Sequence, residues 1–266
     1  MFDRRENNMT DGKVALVTGA GSGIGRATAF ALAREGYHIG VLGRTKEELD
    51  AVVDDIVAQG FKAVALLADV SDEAQMDEAA TKLVDHFSRI DVVVANAGIN
   101  GVWAPIEDLT PDEWDKTMSV NLRGTYLTIH KTVPHLKKHG GAIIIVSSIN
   151  GTRTFTSPGA TAYSVTKAGQ LAMAQQLALE LARYGIRVNA VCPGAIETDI
   201  DDNTQIRDRD ETAIPVEWPQ GDIPISKGRP GTSEDVADLV VFLAGSKSRH
   251  ITGSPVWIDG GQGLLV

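Results

Sequence analysis

Seven short apolar runs, each followed by a segment of helical periodicity, constrain this chain more than any other feature. The runs fall at residues 13–18, 37–42, 61–68, 90–95, 142–147, 186–191 and 254–258 and are rich in Val, Ile and Ala. Strands covered on both faces read this way, because neither face needs polar residues. The segments between them open and close like helices. Thr110-Pro111-Asp112-Glu113 combines an N-cap, a proline at the first helical position and a glutamate that reaches back. Thr45 with Glu48, and Thr232 with Asp235, repeat the pattern in weaker form, while Gly36 and Gly185 stand where a left-handed C-cap residue is wanted. This alternation predicts right-handed βαβ units in one α/β domain over residues 11–266, with a doubly wound, seven-stranded, mostly parallel sheet between two helical layers.

Composition narrows the function. The 266 residues are 43% hydrophobic, enough for one large core, and carry a formal net charge of -10. Nucleic acid is therefore not an expected partner, since counterion release needs a basic footprint. The lone cysteine, Cys192, cannot close an intrachain disulfide, which suits a reducing compartment. No apolar run reaches the roughly 18 to 20 residues of a membrane span, and Asp3, Arg4, Arg5 and Glu6 stand where a signal peptide would be apolar. The expectation is a cytoplasmic protein with a flexible N-terminus over residues 1–10. One stretch, near 199–227, breaks the rhythm with Pro215, Trp218, Pro219, Pro224 and many acidic residues. It reads either as a lid over a pocket or as a surface loop.

The first chemical signal is the turn Thr18-Gly19-Ala20-Gly21-Ser22-Gly23-Ile24-Gly25, between the first strand and the first helix. Missing side chains there let backbone N–H groups approach a pyrophosphate at the positive helix end. The second strand ends at Gly43, without the carboxylate that would hold the ribose hydroxyls of NAD, and Arg44 and Thr45 follow. Arg44 can grip a 2′-phosphate, which favours NADP(H); read as a solvated arginine, it leaves NAD(H) open.

Tyr163 and Lys167 lie four apart in a helical segment, so their Cβ atoms share a face about 5 to 6 Å apart. An ordinary phenol titrates near 10. Bringing it to about 7 requires about 4 kcal/mol of added preference for the phenolate, which a neighbouring ammonium and a cationic nicotinamide can supply. Either this pair exchanges a proton with substrate, or it is a plain surface pair. Two serines, Ser147 and Ser148, end the fifth apolar run at the carboxyl edge where open α/β sheets bind ligands. Either hydroxyl can polarise a carbonyl while hydride arrives.

Taken together, the Thr-Gly-x-x-x-Gly-Ile-Gly turn, Asn96-Ala97-Gly98, the serine segment and Tyr163-x-x-x-Lys167 resemble the short-chain dehydrogenase/reductase family, from about Gly12 to Gly261. The resemblance is to its compact branch of carbonyl and 3-oxoacyl reductases, and it implies a Rossmann-type fold. It selects Ser148, which precedes Ile149-Asn150-Gly151 as in the family's serine–x–x–glycine turn. It implies a fourth catalytic residue in Asn121, whose backbone carbonyl would hold a water leading to Lys167. It assigns Asp69 and Val70 to adenine, Asn96, Ala97 and Gly98 to the adenosine ribose, and the 193–198 segment to the nicotinamide end, through Pro193, Gly194, Ile196 and Thr198. Lys167 would also hold the nicotinamide ribose. The resemblance further implies a homo-oligomer, dimer or tetramer, built on the helices of Asn121 and Tyr163 and the C-terminal segment. This sequence departs in one place: fifteen positions separate Ser148 from Tyr163, about two more than is usual. The substrate pocket is what that changes.

Remaining polar and aromatic residues read two ways. Arg153 is either an anchor for an acidic substrate or a solvated loop residue. Trp103 and Trp218 either wall the pocket or pack. His135 and His139 have metal-ligand spacing, but Leu136-Lys137-Lys138 between them offers no glutamate, so no metal is expected. Three function classes fit: an oxidoreductase acting on a small alcohol or carbonyl compound, a non-catalytic nucleotide sensor, and a structural oligomer. The combined presence of Ser148, Tyr163 and Lys167 favours the enzyme.

Overall fold

The computed structural model describes residues 12–198, 204–213 and 223–265. In chain order it runs β1 (Val14–Thr18), α1 (Gly23–Arg34), β2 (His38–Gly43), α2 (Lys46–Ala58), β3 (Ala63–Leu67), α3 (Glu73–Phe87), β4 (Val92–Ala95), β5 (Gly101–Trp103) and α4 (Pro111–Met118). A wide π-helical turn, Ser119–Arg123, leads into α5 (Gly124–Leu136). Then come β6 (Gly141–Val146), α6 (Thr161–Leu181), β7 (Ile186–Pro193), β8 (Thr204–Ile206), α7 (Arg209–Thr212), α8 (Ser233–Ala244) and β9 (Pro255–Ile258).

Alternation along β1 shows why the sheet forms. Val14 and Leu16 pack into one core with residues of α3, α5 and α6, whereas Ala15 and Val17 pack into a second with α1, α2 and α8. Both faces of the strand are dry, as its unbroken apolar run requires. The sheet has strand order β3-β2-β1-β4-β6-β7-β9, and every pairing is parallel. All seven predicted strands are present. The order reverses between β1 and β4, so a crevice opens beyond the carboxyl ends of these strands.

Helix ends follow the sequence signals with one exception. Thr110–Glu113 and Thr232–Asp235 both form complete reciprocal capping boxes. Thr45 occupies the N-cap of α2 without a side-chain bond. Two short strands escaped the sequence reading: β5 and β8 pair in parallel, with Gly101 opposite Thr204. Part of the 199–227 stretch is thus tied down beside the crevice. Residues 199–203 and 214–222, Trp218 among them, lie outside the described residues, as do residues 1–11, which include the terminus predicted flexible over 1–10, and Val266.

Candidate active site

The nucleotide turn is built tightly. Gly19 and Gly23 have φ of 64° and 49°, and a Cβ on Gly25 would run into the Gly19 carbonyl oxygen. Asn96 braces the turn from β4: its Nδ2 donates to the Thr18 carbonyl at 3.0 Å, while the N–H groups of Asn96 and Ala97 donate to Thr18 Oγ1 at 3.0 and 3.1 Å. Ser22 is the N-cap of α1, whose first turn carries no acidic residue. The exposed N–H groups and positive helix end thus fit a pyrophosphate, and Thr198 stands over them, its Cγ2 3.4 Å from where a Cβ on Gly23 would lie. These residues meet what a dinucleotide needs. At the far end of the crevice, β2 closes on Gly43, and the Arg44 guanidinium reaches 3.7 Å from Asp69. The Asp69 carboxylate also accepts from the N–H and hydroxyl of Ser71, at 2.8 and 2.7 Å. Val70 packs against Gly124 at the start of α5. Thr45 and the Arg44–Asp69 pair are outside the central cleft.

That cleft has a volume of about 540 Å³. Its lining joins Ile24, Asn96, Gly98 and Thr198 to Ser148, Tyr163, Lys167 and Trp103, with Pro193, Gly194 and Ile196 from the end of β7. Residues scattered over the sequence are thus gathered at one carboxyl edge. The buried stripe Tyr163, Lys167, Gln170, Ala174 on α6 explains how: its helical spacing turns one line of side chains toward the sheet.

Within the stripe, the Lys167 ammonium lies 5.3 Å from the Tyr163 ring centroid and donates to the Val146 carbonyl at 3.0 Å. Burial pushes the Tyr163 phenol up to about 12, opposed by a hydrogen bond from Ser148. Burial pushes Lys167 down to about 8. In the protein alone, burial of Tyr163 thus outweighs that bond. Positive charge beside the phenol, from a protonated Lys167 and from a bound oxidised nucleotide, would favour the phenolate.

The two serines separate cleanly. Ser147 Oγ donates to the Lys167 carbonyl at 2.8 Å and so braces α6. Ser148 Oγ accepts the Asn150 N–H at 3.1 Å, which leaves its own hydrogen for the phenolic or a substrate oxygen.

Asn121 is fully buried in the π-helical turn. Its Oδ1 accepts from Ile99 N–H at 2.8 Å, and its Nδ2 donates to the Ile99 carbonyl at 2.9 Å and to Thr166 Oγ1 at 3.1 Å. Its backbone carbonyl accepts from Thr125 Oγ1 at 2.7 Å and from Gln170 Nε2 at 2.9 Å. Two protein donors thus occupy the carbonyl on which a water was expected, and the sequence reading missed Gln170.

Arg153 requires a correction. Its guanidinium pairs with Asp259 at 3.3 Å and lies over the Trp257 ring, and it does not line the cleft. It is committed to the C-terminal segment, so the substrate-anchor reading falls. Trp103 does line the cleft, its ring centroid 6.3 Å from that of Tyr163.

With this geometry in place, likeness to known proteins becomes informative. Residues 19–262 match the family model described as "Enoyl-(Acyl carrier protein) reductase". The 3-oxoacyl-[acyl-carrier-protein] reductase FabG of Thermotoga maritima is 39% identical over 252 residues, covering 94% of this chain and 98% of that protein. The chain belongs to the short-chain dehydrogenase/reductase family. A second relative, the levodione reductase of Leifsonia aquatica, is 36% identical over 94% of both chains. Among solved structures, a 3-ketoacyl-ACP reductase from Sinorhizobium meliloti superposes with a TM-score of 0.92 at 67% identity, covering 95% of this chain and all of that one. A 3-ketoacyl-(acyl-carrier-protein) reductase from Brucella melitensis, complexed with NADH, superposes at 0.84 with 33% identity, covering 96% of this chain and 99% of its own. Membership makes this short-chain dehydrogenase/reductase an NAD(P)-dependent oxidoreductase with a single Rossmann-like domain. Among its described residues no helix is long and apolar enough to cross a membrane.

Proposed function

We propose that the chain interconverts a carbonyl compound and its secondary alcohol, with Tyr163 exchanging the proton, Ser148 holding the substrate oxygen and Lys167 setting the charge beside the phenol. The observation that carries this reading is that Ser148, Tyr163 and Lys167 line one cleft that continues into the nucleotide turn. A bound nicotinamide would supply hydride in reduction and accept it in oxidation. In reduction Ser148 donates to the carbonyl oxygen, and the Tyr163 hydroxyl delivers a proton to that oxygen as the alkoxide forms. In oxidation the phenolate removes the alcohol proton. Asn121 acts at one remove, fixing the turn that carries Ile99 and, through Thr166, the helix of Tyr163. The relatives' names make a 3-oxoacyl thioester and a cyclic diketone the first compounds to assay. Nucleotide-dependent turnover of one of them tests the reading, and nucleotide binding without turnover across a carbonyl panel would overturn it.

NADP(H) is the favoured nucleotide, because Arg44 stands where the second strand offers no carboxylate to ribose. Its pairing with Asp69 is a surface contact of about 1 kcal/mol or less, easily redirected to a phosphate. Titration with both nucleotides decides this; tighter binding of NAD(H) would reject it. We also read the chain as a cytoplasmic homo-oligomer. Tyr126 on α5 and Val165 and Leu179 on α6 are exposed apolar side chains that a second copy would cover. Light scattering that finds a monomer at working concentration would contradict it. Within the stretch near 199–227, the described β8, paired with β5 through Ile206 and Trp103, is read as part of the rim of the cleft.

A further inference from the structure

We infer that Asn150 is a specificity residue: its side-chain amide donates to a second, acceptor-only oxygen of the substrate, close to the carbonyl that is reduced. The inference rests on the carbonyl-reducing reading above and narrows its substrate to oxo esters, diketones and related compounds.

Three observations support it. Asn150 is joined to the oxygen-holding serine, since its N–H donates to Ser148 Oγ at 3.1 Å. The acceptor half of its amide is committed, because Oδ1 accepts from Thr154 Oγ1 at 3.2 Å and from Ser157 Oγ at 3.0 Å. These bonds fold the lengthened loop onto itself, and the Gly151 N–H closes it on the Thr154 carbonyl at 3.0 Å. Asn150, Thr154, Thr156 and Ser157 all line the cleft, so this loop forms a polar wall near Ser148. In this orientation both hydroxyls find an acceptor in Oδ1, which Nδ2 could not provide. What remains is the Nδ2 donor pair, which has no bond to any described protein group. A donor fixed in this way discriminates sharply, since a substrate lacking the matching acceptor leaves it unpaired. An alkyl chain against this wall would desolvate the amide without replacing its hydrogen bond to water.

The test compares methyl acetoacetate with 2-hexanone, which lacks the second carbonyl, in wild type and in Asn150→Asp. Aspartate keeps an acceptor for Thr154 and Ser157 but replaces the donor pair with a carboxylate oxygen. Dividing kcat/KM for one ketone by that for the other within each protein, then comparing the proteins, cancels the greater intrinsic reactivity of the oxo ester. The expected result is a fall in that ratio of about tenfold or more, the scale of one neutral hydrogen bond together with the added repulsion. Asn150→Ala gives a fall in the same direction without adding charge, and circular dichroism confirms that each variant is folded. Equal losses on both ketones would overturn the inference, because Asn150 would then act only through Ser148 and the loop. So would an unchanged ratio, or wild-type turnover of 2-hexanone alone, although that last result leaves the carbonyl-reducing reading intact. Turnover of neither ketone with either nucleotide would overturn that reading and the inference with it.

Discussion

Gln170 clamps Asn121: its Nε2 donates to the Asn121 backbone carbonyl at 2.9 Å and to Thr125 Oγ1 at 2.8 Å, one turn beyond Lys167 on the same buried stripe. The π-helical turn at Ser119–Arg123 disturbs the regular helical bonding, and Gln170 and Thr125 together hold the carbonyl of its central residue. Gln170 Oε1 is buried without a protein partner. Counting the groups each truncation orphans predicts unequal costs at the two ends of this contact. Asn121→Ala leaves the Ile99 N–H and carbonyl without their side-chain partners, and should cost about 3 kcal/mol. Gln170→Met leaves the Asn121 carbonyl with Thr125 and removes the orphaned oxygen, so its cost should stay within about 1 kcal/mol. Urea denaturation measures both, and equal destabilisation would disprove the count.

Tyr163→Phe removes the phenolic hydroxyl beside Ser148, yet leaves an aromatic ring of nearly the same volume against Trp103 and Lys167. Turnover should fall about 100- to 10,000-fold, the usual contribution of a positioned acid or base. Nucleotide affinity should change little. Loss of less than tenfold in turnover would reject the acid/base role.

The pH dependence follows from Lys167. Burial lowers its folded pKa to about 8, so the ammonium is present below that value and lost above it. Tyr163, pushed up to about 12, keeps its proton throughout neutral pH in the free protein. Reduction needs both protons. The kcat/KM measured with nucleotide as the varied substrate, which reports the free enzyme, should be level below about pH 8 and fall above it. Lys167→Met should be slow at every pH and lack this limb. A falling limb that survives in Lys167→Met would assign it to another group.

The sheet was legible because burial on both faces writes an apolar run that few other structures require. The glycine turn, Tyr163 and Lys167 were legible because their spacing carries geometry. β5 and β8 were not, since three residues are too few for a period to register. Gln170 left a faint signal, a polar residue on a stripe otherwise suited to the core. Asp69 was assigned by resemblance to adenine, but its tie to Arg44 comes only from the fold.

Arg44→Ala separates the two nucleotides. One charge-assisted contact to a 2′-phosphate is worth about 1.5 to 3 kcal/mol, so NADP(H) affinity should drop about 10- to 100-fold. NAD(H) has nothing there for the guanidinium to hold, and its affinity should change less than threefold. Fluorescence titration of both gives the answer, and parallel losses would show that Arg44 contacts a part common to the two nucleotides.

Arg153 shows what sequence distance conceals, because its partner Asp259 lies 106 positions away. The Asp259 carboxylate is only 6% exposed, and it also accepts from the N–H groups of Gly261 and Gly263, at 3.0 Å each. Arg153→Ala therefore leaves a buried carboxylate without its cation and strips the cover from Trp257. Removing one partner of a buried pair costs about 3 kcal/mol, with less expected here because Arg153 is 26% exposed. The stability loss should shrink when Asp259→Asn is added, since the amide carries no charge to strand. Acidic and neutral ketones should lose activity equally in Arg153→Ala. A selective loss on the acidic ones would restore the anchor role that the ion pair with Asp259 argues against.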